Sequence, residues 1–154
     1  MKSALPAAIV LAFAIGGPPV ASQQAPATPQ QADPLVFNTD RMLVIIRVAE
    51  ASAVDFEVTM GKVKEVLASS DKPERKRQAA NWKLTKATDP QDGVINFFFV
   101  LEQVEKGVSY DPFKILGEGL PPEEVRALFE KVGPGLRGIS AAPLGPIVSM
   151  GSGS

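Results

Sequence analysis

The sequence contains no cysteine and no histidine. Without cysteine the fold has no disulfide to brace it, so side-chain packing must supply its stability. Burial becomes more efficient as a chain grows, which favours a domain of about a hundred residues over a miniprotein. The two missing residue types also exclude a thiolate nucleophile, an imidazole base, a triad of the usual form and any metal site with thiolate or imidazole ligands.

The balance of basic and acidic residues argues against nucleic-acid binding. The chain has 16 basic and 17 acidic residues. Proteins that bind nucleic acid normally show a basic excess or a strongly basic face, so we predict no nucleic-acid partner. The length of 154 residues fits one domain, and a hydrophobic fraction of 45% is enough for a core but not for a membrane protein.

The first residues follow the order of a signal peptide. Lys2 precedes an apolar run from Ala4 to Ile15 that is too short to span a bilayer, and a Gly-Gly-Pro-Pro sequence then breaks any helix. We predict a signal peptide over 1–22, cleaved after Ser22 or, as the neighbouring choice, after Ala21. The alternative is a buried N-terminal helix. The signal peptide predicts an exported protein, periplasmic or extracellular, with no stable membrane insertion after its removal.

The residues after the signal peptide differ sharply in composition from the rest. Gln23–Pro34 is rich in Gln, Ala and Pro and has no large apolar residue. Such a segment cannot bury enough surface to offset the entropy of ordering. We predict a flexible linker over 23–37, a single domain over 38–150 and a flexible tail over 151–154.

The first half of the domain predicts a strand and then a helix. Arg41–Val48 is apolar and β-branched, which is typical of a strand buried on both faces. One apolar face then predicts a helix over 53–69, with Ser52 and Asp55 at the spacing of a capping box.

The middle of the domain predicts a hairpin. Side chains alternate between apolar and polar within Arg77–Ala87, which we predict to be a strand with one buried face. A turn at Asp89–Gly93 leads into a second strand over Val94–Val104, antiparallel to the first.

The last part predicts a broken helix and an edge strand. Asp111 and Pro112 are typical of a helix start, and a second helical piece begins near Pro121 and stops at Gly133. A final strand over Ile139–Met150 contains two prolines, which edge strands tolerate. The order β-α-β-β-α-β predicts an α+β, ferredoxin-like fold: a four-stranded antiparallel sheet with two helices on one face.

Three segments of the domain also carry a family resemblance: Asp55–Leu67, Arg75–Lys83 and Val108–Leu116. On these segments the chain from Met42 to Val148 resembles a family of small secreted bacterial α+β proteins of unknown function. The resemblance implies no activity and no catalytic residues. The predicted fold is also similar to dimeric α/β barrels, in which two such sheets pair, but a likeness of fold does not carry function.

Three short motifs are typical of binding or catalysis but lie in the wrong context. Gly133–Gly138 has a dinucleotide-binding glycine spacing, yet it follows a predicted helix and not a strand. Ser69–Lys72 has a Ser-x-x-Lys spacing at the end of a helix, where a Ser–Lys enzyme has its serine at a helix start. The basic cluster Lys72–Arg77 could meet an anionic ligand, but we interpret it as a solvated connection between helix and strand.

The candidate ligand-binding residues are Trp82, Tyr110, Arg47 and Arg77. Trp82 and Tyr110 are the only Trp and the only Tyr, and each ring combines an apolar face with a polar tip. Arg47 and Arg77 could supply charge nearby. The alternative for Trp82 is a place in the core. We predict no catalytic residues, no metal ligands and no cofactor.

The strand over Val94–Val104 suggests self-association, because both of its alternating faces are apolar. One face carries Ile95, Phe97, Phe99 and Leu101, and the other carries Val94, Phe98, Val100 and Val104. Helices on one side of a sheet cover only one of these faces, so the other needs a cover of its own. We predict a homodimer through the sheet, and the competing explanation is coverage by the Pro-rich C-terminal segment.

Two functions remain open on the sequence. The first is a non-enzymatic exported domain that binds a partner protein or a small ligand. The alternative is a small enzyme of the dimeric α/β barrel type that acts on an unidentified small molecule. Several converging polar side chains in a pocket between helices and sheet would favour the enzyme, and an apolar surface would favour the binding domain.

Overall fold

A computed structural model describes residues 33–145 of the chain. The predicted signal peptide, most of the predicted linker and the predicted tail lie outside the described residues. Over these described residues the chain is α+β, with one four-stranded antiparallel sheet and four α-helices. In chain order the elements are β1 (Met42–Ala49), α1 (Ala53–Ser69), α2 (Pro73–Asn81), β2 (Trp82–Lys86), β3 (Val94–Leu101), α3 (Pro112–Gly119), α4 (Pro122–Val132) and β4 (Leu136–Pro143).

The sheet has the strand order β2-β3-β1-β4, and all neighbouring strands are antiparallel. The predicted hairpin is confirmed, because β2 pairs with β3. Its turn contains Asp92 and Gly93 at φ values of 51° and 71°, a left-handed conformation that Gly and Asp accept more readily than other residues. β1 lies between β3 and β4, so one of the two inner strands of the sheet is the first of the described strands in sequence.

Only one face of the sheet belongs to the hydrophobic core. On that face Val44 lies opposite Phe99, and both side chains are completely buried. Phe56 of α1 packs on Phe97 of β3 with ring centroids 4.6 Å apart, which places α1 over this face. The prediction that the first strand is buried on both faces is wrong: its other face is half-buried, and Arg47 there is exposed. We call the face under α1 the covered face and the opposite face, which carries Arg47, the open face.

Helix α1 has the predicted bounds, and its buried side chains lie on one side: Ala53, Phe56, Thr59, Met60, Val63, Val66 and Leu67. The predicted capping box is wrong. Ser52 is the N-cap residue, but its side chain makes no capping hydrogen bond, and it ends a short 3-10 turn that precedes the helix. At α3 the Asp111 carboxylate does accept a hydrogen bond from the backbone N–H of Phe113, so this predicted helix start is confirmed.

The two pieces of the predicted broken helix are the separate helices α3 and α4, and one further helix was not predicted. The basic cluster is not a solvated connection, because it begins helix α2, with Pro73 at the first helical position. The predicted strand over Arg77–Ala87 therefore starts only at Trp82. The last strand also differs: β4 starts before Ile139 and ends at Pro143. Within the described sheet it pairs only with β1 and forms an edge.

The core also includes residues that the sequence analysis had placed outside it. Leu35 and Phe37 are buried in the core, so the packed domain begins ahead of the predicted boundary at Asn38. Val104 lies beyond the end of β3 and packs against the core. It therefore does not belong to the open face on which the alternation had placed it.

Candidate functional site

A groove of about 490 Å³ runs between helix α1 and the edge strand β2. We call it the α1–β2 groove. Its apolar lining comes mainly from α1 and β2: Met60, Val63, Leu67, Ala79, Trp82 and Leu84. Two charged residues, Glu57 and Lys64, also line it. The volume lies within the range of about 300–1,000 Å³ that is typical of small-molecule sites.

The groove exists because α1 covers the central strands and leaves the edge strand open. Leu84 lies opposite Phe99 on the covered face. Phe99 is completely buried, whereas Leu84 is 40% exposed. The helix layer therefore ends above β3, and the side chains of β2 form the floor of the groove.

Gly61 widens the groove at the middle of α1. Glycine inside a helix costs roughly 1 kcal/mol relative to alanine. Nothing in the backbone requires it here, since Gly61 is not among the glycines with positive φ. Packing does not require it either, because a Cβ at this position would meet no atom within 4 Å. The effect of the missing side chain is open space along the wall of the groove.

Trp82 packs on the core and also lines the groove. Its ring contacts those of Phe99 and Tyr110 edge-on, with centroids 4.9 Å and 5.4 Å away. Its indole nitrogen Nε1 is buried and has no hydrogen-bond partner among the described residues. A buried donor without a partner costs about 1–3 kcal/mol, and such cases are rare enough to require an explanation.

The two charged residues of the groove differ in their contacts. The Glu57 carboxylate accepts a hydrogen bond of 2.5 Å from the Lys86 ammonium, so its charge is already compensated. Lys64 takes part in none of the ion pairs formed within residues 33–145. The groove therefore has one compensated carboxylate and one lysine available to a ligand.

Tyr110 lies beside Trp82, but its side chain is buried in the core and has a structural role. Its side chain is 1% exposed, and its hydroxyl oxygen accepts a hydrogen bond of 2.8 Å from the backbone N–H of Glu105. Burial raises the pKa of Tyr110 above its usual value. The Glu105 carboxylate in turn accepts two hydrogen bonds of 2.7 Å from the Arg77 guanidinium. These hydrogen bonds lower the pKa of Glu105 and raise that of Arg77.

Arg47 does not join the other candidates. It lies on the open face of β1, opposite Asn96 and Gly138, whereas Trp82 lies on the covered face. The structure thus brings Trp82 and Tyr110 into contact, links Arg77 to them through Glu105, and places Arg47 on the other side of the sheet.

A polar cluster, missed in the sequence and centred on the buried side chains of Arg75 and Gln78, holds α2 against α3. The Arg75 guanidinium donates hydrogen bonds to both carboxylate oxygens of Glu118, to the Gln78 amide oxygen and to the Ser109 carbonyl oxygen. Gln78 donates a second hydrogen bond to the same carbonyl. Hydrogen bonding by Arg75 lowers the pKa of Glu118. With Lys72 also paired to Glu118, much of the basic cluster is compensated inside the domain.

The open face of the sheet is the second large apolar surface. Its middle consists of two cross-strand pairs, Leu43 with Val100 and Ile45 with Phe98. All four side chains are half-buried. Small residues flank them on β4, where Ser140 lies opposite Ile45 and Ala142 opposite Leu43.

Comparisons of the chain with protein-family models, with curated proteins and with solved structures found no match. The family resemblance therefore depends on the three sequence segments alone and stays a prediction. Residues 33–145 show neither a membrane-spanning helix nor an acidic metal site. No helix there is long and apolar enough to cross a membrane, and no three acidic side chains are grouped closely enough to hold a metal ion.

Proposed function

We propose that this protein is an exported, non-enzymatic binding domain that takes a small, largely apolar ligand in the α1–β2 groove. The observation that carries the proposal is the apolar lining of an open groove of about 490 Å³. A surface that offers six apolar residues to a ligand is stabilised when that ligand removes it from water.

Gly61 and Trp82 support this function independently of the groove's size. Each carries an energetic cost that folding alone does not explain: a helix interior without a side chain, and a buried indole donor without a partner. Natural proteins accept local costs of this kind where a site needs them.

The alternative, an enzyme of the dimeric α/β barrel type, needs several polar side chains that converge on one pocket. In the groove, Glu57 is paired with Lys86, and Lys64 is the only other charged lining residue. The Tyr110 hydroxyl is not available for a reaction in the groove, because it is buried against the Glu105 backbone. The geometry favours binding over catalysis.

The experiment compares two glycine variants in binding the uncharged dye Nile red. We expect Gly61→Leu to fill the groove and weaken dye binding by at least about tenfold, or about 1.4 kcal/mol. The matched control is Gly117→Leu, at an exposed helical glycine of α3 where a Cβ also meets no atom within 4 Å. Thermal unfolding of both variants serves as the check that the fold is intact.

Equal dye binding by the wild-type protein and Gly61→Leu would overturn the groove as the site, and so would the absence of binding to the wild-type protein. Native mass spectrometry of the purified protein supplies a second readout. We expect a small molecule to co-purify with the wild-type protein and to be lost from Gly61→Leu.

The proposed fold assignment is ferredoxin-like, with the helices on one face of the sheet. The order β2-β3-β1-β4 supports it, since two interleaved β-α-β units give this arrangement. In this assignment α1 and α4 are the two helices of the basic pattern, and α2 and α3 are additions.

Export is proposed from the sequence of the first 22 residues and has its own test. We expect protein recovered from the periplasm or the medium to begin near Gln23. Recovery of soluble cytoplasmic protein with Met1 intact would contradict export and leave the groove untouched.

We also propose that two copies associate through the open face. The support is the row of half-buried apolar side chains around Phe98 and Ile45, which no described helix covers. Pairing of two such faces would remove these side chains from water in both copies. Sedimentation equilibrium tests it: a monomer at tens of micromolar protein would overturn the homodimer.

A further inference from the structure

We propose that the ligand of the α1–β2 groove is a small molecule with an apolar body and a carboxylate. This inference rests on the proposed function and adds the chemical class of the ligand. It follows from which polar side chains of the groove still lack a partner.

The apolar body is defined by the floor and walls of the groove. Leu84 of β2 and Met60 and Leu67 of α1 offer hydrocarbon surface, and Trp82 adds apolar surface from its indole ring. Gly61 leaves room beside them. A hydrocarbon chain or ring that fills this space gains about 25 cal/mol for each Å² of apolar surface removed from water.

The polar end of the ligand is defined by charge complementarity. Lys64 carries three N–H donors and no acceptor, and the indole of Trp82 is also only a donor. Neither side chain has a partner among residues 33–145. The one acceptor side chain of the lining, Glu57, is occupied by Lys86. The groove therefore presents one uncompensated positive charge, that of the exposed Lys64, whereas the unsatisfied Nε1 of Trp82 is buried.

An anionic acceptor group is the complement of such a site. A carboxylate satisfies ammonium donors with charge-assisted hydrogen bonds, whereas a cationic head group would be repelled by Lys64. An uncharged alcohol has the acceptor but lacks the charge. We therefore expect affinity to fall from carboxylate to alcohol to ammonium among ligands that share one hydrocarbon chain.

The experiment uses three probes with the same twelve-carbon chain: dodecanoate, dodecan-1-ol and dodecyltrimethylammonium, each below its micelle-forming concentration. Trp82 is the only tryptophan of the chain, so its fluorescence reports on the groove directly. We expect dodecanoate to bind about fivefold more tightly than dodecyltrimethylammonium, as a partly exposed ion pair contributes up to about 1 kcal/mol.

The matched variants are Lys64→Gln and Lys62→Gln. Both remove one positive charge from α1, but Lys62 does not line the groove and pairs with Glu65 at 3.3 Å. We expect Lys64→Gln to weaken dodecanoate binding about fivefold and to leave dodecan-1-ol unaffected, and Lys62→Gln to change neither.

The outcomes separate this inference from the proposed function. Equal affinity for all three probes, with loss of all three in Gly61→Leu, would preserve the groove and overturn the carboxylate. Equal weakening by Lys64→Gln and Lys62→Gln would also overturn it, because the attraction would then be to the overall charge of the helix. Failure of every probe to bind would overturn both proposals.

Discussion

The covered face and the open face of the sheet are built from neighbouring residues of the same strands. In β3, Phe99 is completely buried, and Phe98, the residue before it, is only half-buried. In β1, Val44 and Ile45 show the same contrast. Both faces are apolar, so hydrophobicity does not distinguish them. The difference arises from α1, which packs on one face and leaves the other as a surface.

The largest effect that tests this contrast is the loss of each phenylalanine ring. We expect Phe99→Ala to lower the free energy of unfolding by about 3–5 kcal/mol, because it leaves a cavity in the core. Phe98→Ala removes the same atoms from a half-buried position, and we expect less than about half that loss. Urea denaturation measures both. Equal losses would show that the open face is as tightly packed as the covered face.

One arginine on each side of the sheet, Arg75 and Arg47, gives a second comparison of the two faces. Arg75 lies in the helix layer, 6% exposed, with four hydrogen bonds, whereas Arg47 is exposed on the open face. We expect Arg75→Ala to cost about 2–3 kcal/mol, because the buried Gln78 amide oxygen and the half-buried Ser109 carbonyl oxygen lose a charged donor. Arg47→Ala should stay within about 0.5 kcal/mol. The same denaturation experiment decides, and a large loss from Arg47→Ala would contradict the assignment of that face.

Acidification should act on the helix layer through Glu118. Hydrogen bonds from Arg75 hold the pKa of this carboxylate below its usual value of 4.5. A carboxylate with a lowered folded pKa contributes stability that is present above the unfolded pKa and lost as the pH falls through the folded one. We expect the free energy of unfolding to drop below about pH 4.5, and the drop to be smaller in Glu118→Gln. An identical pH profile for that variant would contradict this role.

The last test places a charge on the open face and measures association instead of stability. Phe98→Asp should dissociate the proposed homodimer, because it places a carboxylate in the apolar pairing surface. We expect the isolated monomer to keep its circular dichroism spectrum and a cooperative unfolding transition. Val54→Asp, at an exposed apolar side chain of α1 on the other side of the sheet, is the control and should leave association intact. Unfolding of Phe98→Asp would instead place that ring in the core.

The sequence predicted the α+β class, the antiparallel sheet and the bounds of α1, because each depends on a local pattern. The apolar face of α1 has a helical period, and Pro73 lies beyond its end. Helix α2 was missed because Ala80, Trp82 and Leu84 alternate across the point where the helix becomes a strand. Proline followed by glutamate at Pro73 was the overlooked signal of a helix start.

The candidate site was predicted only in part. Trp82 was found because of its residue type, but Lys64 and Gly61 were not, since their role depends on where α1 lies above β2. The glycine inside a strongly helical segment was a signal that could have pointed to the groove. Arg47 could not be excluded from sequence, because a shift of one residue along a strand exchanges the two faces.

The position of β1 has a consequence for how the protein folds. β1 is the first of the described strands to be synthesised, yet Met42 pairs with Leu101 on one side and with Pro143 on the other. Almost the whole described chain must therefore be present before β1 has both of its neighbouring strands. Pairings between such distant segments slow folding to milliseconds or longer. On the proposed export route this delay is useful, because a chain that has not yet closed its sheet remains able to pass through a membrane in extended form.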